Sequence, residues 1–326
     1  MSAYLEEIGG YHNAWTSSEG TFYYSRVPVT HKDRGFKILG EMLNTPRVPK
    51  NKIPIEMKNI IEEIRRALDD PDHFLAILDQ QFIYDDHPLG KNTLGTIESI
   101  SKFTQNCFSE FRKHYYHPSN YTFITVGNIT PNEALKEFET NFPDKDAQLT
   151  HTRDFIPLTG KPERKFVYKK ELEQVHIALS APLGKGTEKS ARSIQMFSAM
   201  LSGGMSFPLF QEVCDKRGLC YSIDAWTSRN SDVGEFSIVI GTDPKRFQEA
   251  IDVSLDLIRQ CKTNESLLQK AKDLRLGSLA MKFESTAGIL QSAAQGTMID
   301  GQPKGYDELM KEIQEITIDD VTSAVD

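Results

Sequence analysis

Two segments of the sequence repeat one pattern, and this repeat limits the possible folds more than any other feature. Residues 123–138 ("FITVGNITPNEALKEF") and 236–251 ("FSIVIGTDPKRFQEAI") both run from an apolar stretch through a glycine and a short loop to a proline and an amphipathic stretch. Short apolar stretches are typical of strands, and proline favours the first turn of a helix. With hairpin and helix patterns in both halves, the repeat predicts an α+β chain of two related domains, each a mostly antiparallel β-sheet with helices packed on one side.

Chain length supports the same division, because 326 residues exceed one ordinary small domain. The segment 143–165 combines low apolar density, three prolines and no hydrophobic periodicity, so it is unlike the regular elements on either side. We therefore predict a first domain at residues 1–145, a linker at 146–165 and a second domain at 166–326.

Local patterns assign the individual elements. Two runs rich in aromatic residues flank a turn at 17–20 and predict a β-hairpin. A helix at 96–115 is expected to begin at Thr96. Its predicted inward residues are Ile100, Phe103, Cys107 and Phe111. The other predicted elements are helices at 31–45, 56–71 and 72–83, a buried strand at 122–129, and strands near 220–227 and 234–241.

Charge and composition exclude two classes of partner. The net charge is −8 with both signs interspersed, whereas nucleic-acid binding needs a concentrated basic face. No run of about 18 apolar residues exists, so we expect no membrane partner. The cysteines have neither the number nor the spacing of a disulfide framework, which favours a reducing, cytoplasmic compartment. They are Cys107, Cys214, Cys220 and Cys261.

One carboxylate stands at an unexpected position of the helix predicted at 56–71. Glu63 lies along the edge of the apolar stripe, and Glu56 lies two turns earlier on the same face. A carboxylate turned toward an apolar interior is costly unless a cation, a metal or hydrogen-bond donors receive it. Glu63 is therefore either a helix-edge glutamate that reaches out to water or a metal ligand with a second carboxylate behind it. The stripe consists of Ile60, Ile61, Ile64, Ala67 and Leu68.

Five segments of the chain, taken in order, resemble one known family. They are "LEEIGGYHNAWTSSEGTFYYSRVP", "IIEEIRRALDDPDHF", "HPLGKNTLGTIESI", "HYYHPSNYTFITVGNIT" and "LSGGMSFPLFQEVCDKRGLCYS". Their order resembles that of the pitrilysin/insulinase family of zinc metallopeptidases, which includes mitochondrial processing peptidase and its small bacterial relatives. The resemblance covers essentially the whole chain.

The resemblance implies a zinc site. The family holds Zn²⁺ with two histidines of an inverted H-x-x-E-H motif and one glutamate from a later helix, and the motif glutamate is the general base. The later helix carries two glutamates separated by six residues, and Glu56 and Glu63 match this pair. By resemblance, Glu63 is a zinc ligand and Glu56 is the supporting catalytic carboxylate.

The chain departs from the family at the histidine motif, because no H-x-x-E-H occurs in its 326 residues. The neighbouring histidines His114 and His117 have no acidic residue between them and fit a helix end better than a metal site. The opening "MSAYLEEIGG" reads as the end of a helix and the closing "TIDDVTSAVD" as the start of one. We therefore expect a truncated chain, with the first domain lacking its first strands and zinc-motif helix and the second incomplete at its C-terminus. We expect this chain to bind no Zn²⁺ and to hydrolyse no peptide by itself.

The resemblance also implies a substrate-binding arginine and tyrosine in the second domain. In "LFQEVCDKRGLCYS" the tyrosine matches Tyr221, but Cys214 stands at the arginine position. Arg217 is the substitute for that arginine or, alternatively, an ordinary solvated charge. Tyr221 is either a substrate-binding residue or a half-buried strand aromatic.

In this family an extended peptide adds to an edge strand of the first domain. "HNAWTS" matches that strand, so the resemblance implies hydrogen bonds from the backbone of Asn13 and Ala14. Trp15 then lines an apolar pocket for a substrate side chain, or it packs in the core.

Two functions remain open. The first is a zinc metalloendopeptidase lineage that acts on peptides or unfolded polypeptides, working as a homo- or heterodimer with a family member. The second is a non-catalytic peptide-binding or structural subunit of a hetero-oligomeric complex. The retained Glu56 and Glu63 favour the first, and the missing histidines together with Cys214 favour the second.

Overall fold

The computed structural model describes residues 2–142, 167, 172–184 and 188–326, and the predicted linker lies outside these residues. Among the described helices, none is both long enough and apolar enough to span a bilayer. The helices are α1 (Ser2–Glu6), α2 (Lys32–Asn44), α3 (Ile53–Asp69), α4 (Pro71–Tyr84), α5 (Ile97–Ile100), α6 (Gln105–Tyr115), α7 (Pro131–Asn141), α8 (Glu188–Ser202), α9 (Phe247–Cys261), α10 (Glu265–Phe283), α11 (Thr286–Asp300), α12 (Tyr306–Glu315) and α13 (Ile318–Val325). The strands are β1 (Tyr11–Thr16), β2 (Thr21–Arg26), β3 (Val175–Leu183), β4 (Cys220–Arg229) and β5 (Gly234–Thr242), and a π-helical turn spans Phe210–Asp215.

The chain divides into two compact units that interleave along the sequence. The first unit comprises Met1–Arg66, Thr93–Asp154 and Thr286–Gly301. The second comprises Ala67–Asn92, Phe155–Ser285 and Gln302–Asp326.

The first unit is built on the hairpin that the sequence predicts. β1 and β2 pair antiparallel, with Ala14 opposite Tyr23 and Trp15 opposite Phe22. One face of the hairpin packs on α2, where the Ser25 hydroxyl donates to the carbonyl of Gly35 at 3.2 Å. The hairpin and the helices predicted at 31–45, 56–71 and 72–83 are confirmed to within a few residues.

The helix predicted at 96–115 is wrong as a single element, because it is broken into α5 and α6. Hydroxyl side chains compete with the helical backbone at the break, where the Ser101 hydroxyl donates to the carbonyl of Ile97 at 2.6 Å. Thr104 is extended and begins α6 anew. Of the four residues predicted to point inward, Ile100 alone is buried, and the other three are exposed: Phe103, Cys107 and Phe111.

The strand predicted at 122–129 is also wrong. A strand needs a partner for its backbone groups, and no described strand pairs with this segment. Its Phe123 instead packs among aromatic side chains of the helices, with ring-centroid distances of 5.5 Å to Phe36, 5.1 Å to Phe138 and 5.3 Å to Phe142.

The second unit contains an antiparallel sheet with strand order β3-β5-β4. One face is apolar, because alternate residues of β5, Ile238 and Ile240, lie buried in a large core with α8, α9 and α13. The opposite face is polar, since Glu235, Ser237 and Ser180 lie there, and α4 covers it. The strands predicted near 220–227 and 234–241 are confirmed, as is the α+β class with small antiparallel sheets and helices.

Candidate functional site

The outer edge of β1 exposes backbone groups of alternate residues. In an antiparallel pair, successive residues turn their N–H and C=O groups toward the partner strand and then away from it. The Ser17 N–H donates to the Gly20 carbonyl at 2.8 Å, which makes these two residues a hydrogen-bonded pair and sets the alternation. By this count the backbone of Asn13 bonds to β2, whereas the backbone of Ala14 faces away from it.

Side-chain geometry agrees with this count. The Ala14 N–H donates to Oδ1 of Asn13 at 2.8 Å, so it takes no part in the β1–β2 ladder. In the described part of the chain, β1 has no strand partner other than β2. The structure thus distinguishes the two predicted residues: the backbone of Ala14 faces away from β2, whereas the backbone of Asn13 pairs with it.

One face of the hairpin is a half-exposed aromatic surface. Trp15 stacks on Phe22 with ring centroids 3.9 Å apart, and Tyr11 meets Tyr24 edge-on at 6.2 Å. Trp15 remains 37% exposed, so it is not a core residue. The interpretation of Trp15 as ordinary core packing is therefore wrong, and its ring lies beside the free edge of β1.

The two glutamates occur on α3 as the spacing predicts. Glu63 lies seven positions after Glu56, which places them about two turns, or ~10 Å, apart on one face. Both side chains are exposed, and among the described residues Glu63 forms no ion pair. Glu63 therefore does not point into an apolar interior and has the environment of the first alternative, a helix-edge glutamate that reaches out to water, because α3 buries only Ile64 fully and Glu63 lies outside this narrow stripe.

The described residues do not fit a zinc ion by themselves. Zinc sites in proteins take three or four nitrogen, sulfur or oxygen ligands from the chain. Within the described ranges, no three histidine, cysteine, aspartate or glutamate side chains converge. His117 instead accepts a hydrogen bond from the Ser119 N–H at 3.2 Å, as expected of a histidine in a turn.

The second unit presents Tyr221 to solvent. Tyr221 is 86% exposed at the start of β4, so the alternative of a half-buried strand aromatic is wrong. Arg217 is also largely exposed, and its guanidinium lies 3.9 Å from the carboxylate of Glu212. Arg217 thus has the environment of a solvated charge, although nothing in it prevents contact with a ligand.

A disulfide joins Cys214 to Cys220, which the sequence did not predict. The number of cysteines was a poor guide, because a protein without a framework of many disulfides can still contain a single one. The useful signal was local: the two cysteines flank a turn at Gly218, where φ is +56°, between a helical segment and a strand. The bond weakens the argument from cysteine usage to a reducing compartment.

A buried acidic network lies under α4 in the second unit, and sequence reasoning missed it. Asp79 accepts hydrogen bonds from the hydroxyls of Ser180 at 2.8 Å and Ser237 at 3.3 Å. Glu235 is 5% exposed, and burial followed by the nearby Asp79 carboxylate raises its pKa from 4.5 to about 7. In the part of the chain that the structure describes, Glu235 Oε2 and the Tyr84 hydroxyl are buried without hydrogen-bond partners of normal geometry.

Two family models match this chain. The model described as "Insulinase (Peptidase family M16)" matches residues 1–97, and the model described as "Peptidase M16 inactive domain" matches residues 102–274. Together they span both halves of the chain.

Known proteins and solved structures agree with these models. An uncharacterized zinc protease of Streptomyces coelicolor is 26% identical over 331 residues, covering 98% of this chain and 72% of that protein. A protease from Helicobacter pylori superposes with a TM-score of 0.87 at 19% identity, over 98% of this chain and 80% of that one. A chain of complex III2 from Candida albicans, solved with Inz-5 bound, superposes with a TM-score of 0.81 at 13% identity, over 99% and 82%. At such identities the structural matches show a shared fold.

Proposed function

Because the chain belongs to the M16 (insulinase) family of peptidases, we propose that it binds extended peptides as part of a zinc endopeptidase. The observation that carries the proposal is the free edge of β1 at Ala14, with the aromatic surface around Trp15 beside it. We further propose that these 326 residues hydrolyse no peptide on their own.

Strand addition explains how the edge binds a peptide. The Ala14 N–H and C=O point away from β2, so an extended peptide can pair with them as a third strand. An incoming carbonyl then replaces Asn13 Oδ1 on the Ala14 N–H, and the Asn13 amide becomes free to bond the peptide. Peptide side chains of alternate residues project toward Trp15 and Phe22, whose rings provide apolar contact.

The zinc ion belongs to the family's chemistry, in which it polarises the scissile carbonyl and activates water. Glu63 is the candidate ligand in this chain and Glu56 the supporting carboxylate, since both lie on one face of α3. One carboxylate holds zinc weakly, because zinc sites use three or more protein ligands. The sequence contains no H-x-x-E-H, so the remaining ligands would have to come from outside these 326 residues.

Partners follow from the same reasoning. The proposed substrate is a peptide or an unfolded polypeptide, and the proposed assembly is a homo- or heterodimer with a family member that completes the site. A second candidate function is a non-catalytic subunit, which the bonded Cys214 favours, because a disulfide occupies the position where the resemblance places a substrate-binding arginine. A cytoplasmic location stays a prediction.

Substitution of Ala14 tests the peptide-binding edge. Ala14→Pro removes one N–H that β2 does not use, so the hairpin is expected to stay folded. We expect the Kd for a fluorescein-labelled casein peptide, measured by fluorescence anisotropy, to rise about threefold to tenfold, the size of one net hydrogen bond. Ala14→Ser keeps the N–H and is the matched control. Equal Kd values for Ala14→Pro and Ala14→Ser would contradict strand addition at this edge.

Metal analysis tests the proposed lack of independent activity. After dialysis against zinc and then buffer, we expect well under one zinc ion per chain and no cleavage of the casein peptide, because Glu63 is exposed with no convergent ligands in the described residues. A stoichiometric zinc ion that disappears in Glu63→Gln would overturn this part of the proposal.

A further inference from the structure

The disulfide between Cys214 and Cys220 joins the end of the π-helical turn to the first residue of β4. We propose that this pair is a reversible thiol–disulfide exchange site for dithiol reductants, and that its redox state controls the mobility of Tyr221. The consequence for peptides rests on the proposed function, whereas the exchange itself is measurable without any peptide.

Reductants have access to the bond. Cys214 and Cys220 are both partly exposed, and the four residues from Asp215 to Gly218 that lie between Cys214 and Leu219 are all exposed. The two unbonded cysteines provide a contrast, because Cys261 is buried in the apolar core and Cys107 is exposed without a nearby cysteine to bond. Accessible disulfides exchange with thiols far more readily than buried ones.

The loop keeps its shape when the bond opens. The Gly218 N–H donates to the Cys214 carbonyl at 3.0 Å, and the Leu219 N–H donates to the Val213 carbonyl at 2.8 Å. Leu219 is anchored in the core with 2% exposure. These contacts hold the two sulfur atoms near each other after reduction, which makes the reaction reversible.

A second set of contacts holds the turn from outside. The Arg246 guanidinium donates to the carbonyls of Arg217 and Gly218, both at 3.2 Å. None of these bonds reaches Tyr221, whose immediate N-terminal neighbour, Cys220, is held by the covalent bond together with its pairing to Thr242.

Tyr221 lies where the strand pairing is irregular. Cys220 pairs with Thr242, and Ser222 pairs with Gly241, so Tyr221 is left between the two registers. Its side chain is 86% exposed. An irregular position held by few contacts opens easily, and the bond at Cys220 limits this opening. Reduction is therefore expected to loosen the first residues of β4, while the core of the unit stays folded.

The exchange is balanced as a two-electron reaction. A thiolate of the dithiol attacks one sulfur of the pair, forming a mixed disulfide and releasing the other cysteine as a thiolate. The second thiol of the reductant then attacks the mixed disulfide. The protein gains two electrons and two protons, and the reductant leaves as its own disulfide.

Thiol trapping on the folded full chain tests the exchange. After brief treatment with dithiothreitol and then N-ethylmaleimide, mass spectrometry is expected to find Cys214 and Cys220 alkylated, while buried Cys261 stays unmodified. Without dithiothreitol, Cys107 alone is expected to react. Oxidised dithiothreitol in excess is expected to restore the bond. Failure of dithiothreitol to open the bond in the folded chain would overturn the proposal, as would alkylation of both cysteines before any reduction.

Hydrogen exchange tests the effect on Tyr221. We expect amides of residues 220–223 to exchange at least about fivefold faster after reduction, while those of β5 are unchanged. The double variant Cys214→Ser/Cys220→Ser is expected to exchange fast in both conditions, and Cys107→Ser is the control that keeps the full response. Identical hydrogen exchange in the oxidised and reduced wild type would contradict the proposal that the disulfide limits the mobility of Tyr221.

Peptide binding separates this inference from the proposed function. A casein-peptide Kd that changes on reduction in the wild type and in Cys107→Ser, but not in the double serine variant, supports both. Peptide binding that is absent in both redox states contradicts the proposed function and leaves the exchange site standing. A Kd that is the same in both states, with unchanged hydrogen exchange, contradicts the inference and leaves the function standing.

Discussion

The carboxylate of Glu235 shows how one residue sets the pH response of the second unit. Its pKa is raised to about 7 by burial and by Asp79, and burial also raises the pKa of Asp79. Between about pH 4.5 and pH 7 the folded chain therefore holds a proton on Glu235 that the unfolded chain releases. The stability from this group is fully present below about pH 4.5 and is lost as pH rises through about 7.

Glu235→Gln is expected to remove most of this loss, because the amide is neutral at every pH. At pH 8 we expect the variant to be more stable than the wild type by about 1–3 kcal/mol, the usual cost of an unsatisfied buried polar group. At pH 5 the difference should nearly disappear. Urea unfolding at both pH values measures it, and the exposed Glu284→Gln is the control. A wild-type pH profile that Glu235→Gln leaves unaltered would refute the assignment.

At the scale of residues, the sequence located side chains better than it oriented them. The resemblance alone pointed to Ala14 and Trp15, and both lie at the exposed edge of β1. Periodicity placed Glu63 at the border of a stripe, where orientation depends on how much of α3 its neighbours cover. Such coverage is a tertiary property, as is the approach of Glu235 to Asp79 from 156 positions away along the chain (235 minus 79).

Among the helices, Gly40 marks a close crossing of α2 and α7. A Cβ atom at Gly40 would lie 2.7 Å from the carbonyl oxygen of Asn141, which is backbone and cannot rotate away. Asn44 crosses the same gap, donating to that carbonyl at 2.7 Å. The two helices therefore approach closely because α2 lacks a side chain at this position.

Gly40→Ala is expected to destabilise the first unit by about 1–3 kcal/mol, since the helices must separate to admit a methyl group. Gly277→Ala is the matched control, because Gly277 is also inside a helix, α10, and a Cβ there meets nothing within 4 Å. There we expect a gain of about 0.5–1 kcal/mol from helix propensity. Urea unfolding of both variants decides the matter, and equal effects of the two substitutions would show that the crossing is not tight.

Elements formed by local signals were predictable, and elements that need partners were not. The hairpin turn at 17–20 and the amphipathic α2 follow from spacing that neighbouring residues set. The break between α5 and α6 depends on whether hydroxyl groups such as that of Ser101 bond to backbone carbonyls or to water, which local sequence does not decide. The segment 122–129 has strand composition, but no described strand lies beside it, and composition carries no information about partners.

The whole molecule carries one natural reporter for each unit. Its two tryptophans are Trp15 in the first unit and Trp226 in the second. The second unit has one continuous apolar core that includes fully buried Met200, Leu209 and Ile238. The described part of the first unit buries few large side chains, among them Leu5, Phe36, Ile38, Ile64, Ile100 and Phe142.

We expect the first unit to unfold at a lower urea concentration than the second, by about 1 M, because less apolar surface stabilises it. Fluorescence of Trp226→Phe reports the first unit through Trp15, and fluorescence of Trp15→Phe reports the second through Trp226. Circular dichroism of each variant checks that the substitution leaves the fold intact. Superimposable transitions in the two variants would contradict independent units.

At this scale, the residues that make up each unit did not follow from the sequence. Segment 67–92 lies with the second unit, and segment 286–301 lies with the first. Which unit each segment joins is decided by long-range contacts, such as the hydrogen bond from Ser180 to Asp79.

The bond between the Ala14 N–H and the Asn13 side chain also bears on selectivity. A bare strand edge is a template on which any unfolded chain, including another copy of this one, can stack into aggregates. Here any added strand must first displace Asn13 Oδ1 from the Ala14 N–H, which makes its free energy of binding less favourable. A peptide whose side chains also cover Trp15 and Phe22 recovers that loss, and a chain offering backbone alone does not. Under the proposed function, the Asn13 bond therefore favours peptides that contact the aromatic rings over chains that offer backbone alone.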